Sequence, residues 1–126
     1  MTKAEIQFVR SLADKQTRDA ERLFIAEGEK LISEILDSHL RIHRIYALDG
    51  VLKGQAEVVT PKEMERISQL KTASNCLAIV EQPRFNTPTA APATALSLAL
   101  DGVQNPGNLG TIIRLADWFG ISDIFC

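Results

Sequence analysis

Leu98-Ala99-Leu100-Asp101-Gly102-Val103-Gln104-Asn105-Pro106-Gly107-Asn108-Leu109-Gly110-Thr111-Ile112-Ile113-Arg114-Leu115-Ala116-Asp117-Trp118-Phe119-Gly120 begins as a short apolar run, passes through a turn of Asn, Pro and Gly, and opens into a helix. A strand that ends in a polar loop and continues as a helix is a common frame for an active site, and it predicts an enzyme. Ile121, Ile124 and Phe125 read as the next strand, and the sequence stops within it at Cys126. One strand, one helix and the start of another are too few to enclose a core, since units below about 40 residues usually need a metal, a disulfide or a partner. The chain is therefore expected to be a fragment.

The loop fails two phosphate-binding patterns. Gly102 and Gly107 have the spacing of a triphosphate-binding loop, but Asn108 stands where that loop requires a lysine. The dinucleotide pattern Gly-x-Gly-x-x-Gly fails as well, because only Gly107 and Gly110 are spaced for it. In a purely structural reading, Pro106 and Gly107 form a tight turn, Asn108 caps the helix and Gly110 permits close packing. A helix beginning near Leu109 would then turn Ile112, Ile113, Leu115, Ala116 and Phe119 toward a core. Arg114 falls on the face shared with Thr111, Asp117 and Trp118, where it serves either a functional role or a surface pairing with Asp117 or Trp118. Trp118 itself reads as a packing residue.

Upstream, strands alternate with helices. Thr2 and Glu5 form a capping box for a helix carrying Ile6, Phe8, Val9 and Leu12 and ending near Asp14. Leu23 to Ala26 reads as a strand, and Lys30 to Leu36 as an amphipathic helix. Ile42 to Leu48 reads as a second strand and Glu57 to Val59 as a third. Thr60-Pro61-Lys62-Glu63 starts a helix whose inner face is Met64, Ile67 and Leu70. Cys76 to Val80 reads as a fourth strand, buried on both faces. The alternation, without tight hairpin signals, predicts an α/β layer with largely parallel pairing over residues 1–82. Pro83, Pro88 and Pro92 mark residues 83–95 as a stiff linker, and a second domain begins at 96.

Composition narrows the setting. No apolar run reaches the roughly 20 residues of a membrane helix, and the N-terminus lacks a signal-peptide layout, so a cytoplasmic protein with no membrane association is expected. Cys76 and Cys126 stand apart from each other and from His39 and His43, which predicts buried free thiols and no metal site. A net charge of −2 argues against a surface coated by nucleic acid. Basic residues nevertheless cluster locally: Lys15, Arg18 and Arg22 share one side if their segment is helical, which suits phosphate contacts. The alternative is a solvated face with Asp14 pairing Arg18 and Lys15 pairing Asp19. His43, between Arg41 and Arg44, reads as a surface residue.

The stretch from Leu100 to Gly120 resembles motif 1 of the SpoU/TrmH-type RNA ribose 2′-O-methyltransferases of the SPOUT superfamily, with Asn108, Gly110 and Arg114 at its Asn-x-Gly-x-x-x-Arg positions. Ser11, Leu12, Lys15, Arg18, Phe24, Glu27, Gly28 and Glu29 resemble the opening of that family's substrate-binding domain. The resemblance implies a three-layer α/β N-terminal domain similar to kink-turn-binding ribosomal proteins, followed by the first β-α-β piece of an α/β-knot domain. It implies that Arg114 is catalytic with Asn108 beside it, that Asn105, Gly107 and Gly110 shape the loop, and that Lys15, Arg18 and Arg22 meet RNA. It further implies S-adenosylmethionine as methyl donor, bound by motifs that have no counterpart before Cys126, a ribosomal or transfer RNA substrate, and a homodimer. The family usually carries an acid where this chain has Asn105. The rival reading is a non-catalytic RNA-binding module; a weaker one is a nucleotide-binding α/β enzyme.

Overall fold

The Thr2 hydroxyl accepts the backbone N–H of Glu5 at 3.1 Å and the Glu5 carboxylate accepts that of Thr2 at 2.6 Å. This capping box starts α1 (Lys3–Ser11) in the computed structural model, which describes residues 1–84 and 94–126. The helix stops at Ser11 rather than near Asp14, because the Asp14 carboxylate accepts the Thr17 N–H at 3.0 Å and begins α2 (Lys15–Glu21). Arg22, in the left-handed region at φ 55°, closes α2 and turns the chain into β1 (Leu23–Glu27). There follow α3 (Glu29–Leu36), β2 (Ile42–Ala47), β3 (Glu57–Val58), α4 (Pro61–Ile67) and β4 (Cys76–Glu81).

The sheet order is β1-β4-β2-β3. Only β2 and β3 pair in parallel; β4 runs antiparallel to both its neighbours, so the expected largely parallel pairing is not what forms. A clamp at the end of β1 accompanies this reversal. The Glu27 carboxylate accepts the Ser68 hydroxyl at 2.6 Å, the Gln69 N–H at 2.7 Å and the Ser74 hydroxyl at 2.8 Å. Those bonds hold the loop after α4 where β1 leaves the sheet, and β4 enters beside them, antiparallel to β1.

Alternation along β4 feeds two cores. Leu77 and Ile79 face Ile6, Val9 and Leu12 of the α1 segment and Met64 and Ile67 of α4, joined by Leu23 and Tyr46. Cys76, Ala78 and Val80 face Ile32 and Ile35 of α3, with Ala26, Ile45 and Ala47. Helices thus cover both faces of the sheet, and β4 is buried along Cys76 to Val80. Each fully buried Leu or Ile contributes about 1.5–3 kcal/mol. Leu70, expected on the inner face of α4, lies beyond its end and is exposed, because Ser68 has already left helical geometry.

The chain divides into two compact units, Met1–Arg84 and Phe85–Cys126. Part of the expected linker, residues 85–93, lies outside the described residues. In the second unit, β5 (Leu98–Ala99) pairs in parallel with β6 (Ile124–Phe125), and α5 (Pro106–Trp118) connects them. Gly120, at φ 67°, ends α5: its N–H reaches the Asp117 carbonyl at 3.1 Å while the Ile121 N–H reaches that of Ala116 at 2.8 Å. Both cysteines are free; Cys76 is buried as expected, but Cys126 is exposed.

Candidate functional site

The helix that carries the motif begins three residues earlier than its sequence suggests. Asn105, not Asn108, is the N-cap: its side-chain oxygen accepts the Asn108 N–H at 3.1 Å, and Pro106 takes the first helical position. Proline suits that position because its φ is already helical and its missing N–H would have had no partner. Asn108 therefore lies inside the first turn, with its side chain exposed and uncommitted to the cap. A Cβ on Gly107 would come within 3.0 Å of the Asn105 oxygen, so glycine keeps the cap unobstructed.

The packing of α5 also differs from expectation. Ala116 is the buried residue, Leu109 and Ile112 are half-buried, and Ile113, Leu115, Trp118 and Phe119 are exposed. A two-stranded sheet is narrow and covers a single stripe at i, i+3 and i+7, which leaves the other apolar positions outside. Trp118, read as a packing residue, is 83% exposed. Arg114 is exposed on the same helix, and among the described residues it forms no ion pair, with Asp117 or otherwise.

An open groove of about 490 Å³ runs beside the helix start, bounded by the loop from Gly102 to Asn105 and by Asn108, Thr111 and Ile112. Gln104 and Thr111 belong to it although the sequence reading did not select them; the three-residue spacing from Asn108 to Thr111 was the available signal. The Thr111 hydroxyl bonds the Gly107 carbonyl at 3.0 Å. Arg114 follows Gly110 and Gly107 by four and seven residues, and helical side chains lean toward the N-terminus. The side of α5 next to Arg114 is thereby cleared by two glycines, and a Cβ on Gly110 would meet nothing within 4 Å.

The three basic residues expected to meet RNA have separate surroundings. Lys15 pairs with Asp19 at 3.5 Å on an exposed surface. Arg18 does not pair with Asp14, which is engaged as a cap; its guanidinium donates to the carbonyls of Leu12 at 3.0 Å and Ala13 at 2.6 Å, tying the end of α1 to α2. Arg22 is exposed at the start of β1, and its carbonyl accepts the Gln82 N–H at 2.7 Å. Elsewhere Arg44 is held by Glu5 at 2.9 Å and Glu57 at 3.7 Å, while His43 is exposed. Among the described residues no group of His, Cys, Asp and Glu is placed to hold a metal ion, and no helix is long and apolar enough to cross a membrane.

A family model, the MRM3-like substrate binding domain, matches residues 3–78. The chain is 28% identical to the Bacillus subtilis 23S rRNA (guanosine(2553)-2′-O)-methyltransferase RlmP, over 91% of this chain and 48% of that protein. Among solved structures, a TrmH-family protein from Porphyromonas gingivalis superposes with a TM-score of 0.77 at 36% identity, covering 98% of this chain and 51% of that one. An AdoMet-bound rRNA methyltransferase from Sinorhizobium meliloti gives 0.75 at 31% identity, again covering 98% and 51%. The chain spans about half the length of these relatives.

Proposed function

Because the chain belongs to the MRM3-like substrate binding domain family, we propose that it is the RNA-holding part, with the opening of the catalytic part, of an RNA ribose 2′-O-methyltransferase. In this reading residues 1–82 bind a ribosomal or transfer RNA through a fold similar to kink-turn-binding ribosomal proteins. Residues 83–95 link that domain to the start, at 96–126, of an α/β-knot domain in a cytoplasmic homodimer. The observation that carries it is the exposed Arg114, free of ion pairs among the described residues, on a helix whose first turn carries Asn108 and whose adjacent side is cleared by Gly107 and Gly110.

S-adenosylmethionine would supply an electrophilic methyl group to the ribose 2′-oxygen, leaving as S-adenosylhomocysteine when its methyl–sulfur bond breaks, while the 2′-hydroxyl proton passes to solvent. The described residues do not enclose such a molecule: the groove beside Asn108 is open, and no charged or polar residue is buried there. The chemistry assigned to this chain is therefore confined to the RNA. A guanidinium offers N–H donors and no acceptor, so Arg114 acts as a donor and not as a base. It orients the phosphate next to the target ribose and stabilises negative charge developing on the 2′-oxygen. Asn108 holds the ribose edge through its free amide.

The test is methyl incorporation from radiolabelled S-adenosylmethionine into rRNA and tRNA by the complete polypeptide, with methylated positions read as alkali-resistant linkages. Arg114→Ala is expected to lower kcat by about 10²–10³, the usual effect of removing a charge-stabilising donor, while RNA affinity changes little. Undiminished incorporation overturns the assignment of Arg114. RNA binding with no incorporation by the unaltered protein leaves the non-catalytic RNA-binding module instead.

A further inference from the structure

At the end of the sheet where β1 and β2 begin and β4 finishes, Arg41 and Arg84, from distant parts of the chain, line one cleft. The Glu81 N–H bonds the Arg41 carbonyl at 2.8 Å and the Gln82 N–H bonds the Arg22 carbonyl at 2.7 Å. Arg22 and Arg41 therefore flank the departing strand, and Arg84 follows two residues beyond Gln82. A cleft of about 380 Å³ opens here, with the half-buried Leu40 and Pro83 as its apolar floor and the exposed His39, Arg41, Glu81 and Arg84 around it. The Gln82 side chain is fixed on the Arg18 carbonyl at 3.1 Å, which steadies the wall. Among the described residues neither Arg41 nor Arg84 forms an ion pair.

These features differ from those of the α2 surface, where Lys15 is matched by Asp19 and Arg18 is bound to backbone carbonyls. Phosphate contacts draw on cations not already neutralised, and single-stranded nucleotides add a base laid on an apolar or ring surface. The volume lies near the lower end of ligand-sized pockets, about 300–1,000 Å³, and suits one nucleotide but not a duplex. Resting on the RNA-binding reading above, we infer that this cleft seats a nucleotide of single-stranded RNA, with Arg41 and Arg84 on successive phosphates and the base over Leu40 and Pro83. Glu81, the one acid among the described residues of the rim, opposes the phosphate charge and limits affinity.

The experiment is fluorescence anisotropy of the chain with a labelled single-stranded RNA of about 12 nucleotides, repeated between about 50 and 200 mM salt. Arg41→Ala with Arg84→Ala is expected to weaken binding at least tenfold at the lower salt. It should also reduce the slope of log K against log salt by about 1.4, at about 0.7 for each single-strand phosphate contact. Lys53→Ala, in the exposed loop beyond the end of β2, leaves affinity and slope near those of the unaltered chain. Glu81→Gln tightens binding severalfold, a gain that no folding defect imitates. If the unaltered chain binds RNA and the arginine variant binds equally well, or if Glu81→Gln changes nothing, the cleft assignment is overturned while the RNA-binding reading stands. Equal competition by a duplex of the same sequence also overturns it. If the unaltered chain binds a folded rRNA fragment but not the single strand, the cleft assignment alone falls; if it binds neither, both fall.

Discussion

The Asn105 side-chain oxygen and the Asn108 backbone N–H lie 3.1 Å apart, and this single bond decides where α5 starts. Removing an Asn cap costs about 0.5–2 kcal/mol, so Asn105→Ala is expected to increase amide exchange in the first turn of α5. Asn105→Asp should preserve protection, since a carboxylate accepts the same bond and is favoured at a helix N-terminus. Equal exchange in the Ala and unaltered chains would contradict the cap.

Arg18→Ala should act on stability before it acts on RNA. The half-buried guanidinium bonds two carbonyls at the end of α1, and a hydrogen bond involving a charged group is worth about 1.5–3 kcal/mol when well shielded. Allowing for its partial exposure, a loss near 1 kcal/mol in urea unfolding is expected. Arg18→Lys should recover only part of it, because an ammonium lacks the planar fork. A variant of full stability with weakened RNA binding would return Arg18 to the RNA surface.

What the sequence disclosed and what it hid follow from how local each determinant is. Caps at Thr2 and Thr60, and the continuous apolar run from Cys76 to Val80 that is buried on both faces, depend on neighbours a few residues away and were legible. Strand direction was not: the Glu27 clamp that accompanies it engages residues 41 to 47 positions away, and no pattern near β4 announces it. At the motif, Asn105 and Asn108 both have capping side chains; Pro106, which prefers the first helical position, was the deciding signal. The exposure of Trp118 and Phe119 was hidden for a different reason, since apolar spacing says which residues can be buried and not how wide the covering sheet is.

Glu27→Gln tests the clamp directly. The carboxylate accepts three bonds, and the amide that replaces it presents one oxygen and two N–H donors to the Ser68, Gln69 and Ser74 groups. At least one donor loses its acceptor, at about 1–3 kcal/mol. The loop from Ser68 to Ser74 should become susceptible to limited proteolysis while the sheet stays protected. Uniform loss of protection across both would show that the clamp is part of the global core instead.

The pH response follows from Glu63. Its pKa is lowered to about 2, first by the hydrogen bond from the Met1 amino group at 2.7 Å, then by the backbone and hydroxyl of Thr60. The folded value is depressed, so its contribution to stability is present above the ordinary 4.5 and is lost as pH falls from there toward about 2. Thermal unfolding between these limits should show a Tm that declines with acidification more steeply in the unaltered chain than in Glu63→Gln. Parallel declines would exclude Glu63 as a source of acid sensitivity.

Gly110 separates stability from function. Within a helix, glycine is less favourable than alanine by about 0.8–1.0 kcal/mol, and a Cβ at this position meets nothing within 4 Å. Gly110→Ala should therefore stabilise α5, read as slower amide exchange across its middle turns. The same Cβ would stand one turn before Arg114, in the space toward which that side chain leans. If this space admits the RNA phosphate, methyl incorporation by the complete polypeptide should fall about tenfold while the helix gains protection. A fall in incorporation together with lost protection would mean misfolding. Protection gained with activity unchanged would show that the space beside Arg114 is not where the phosphate lies.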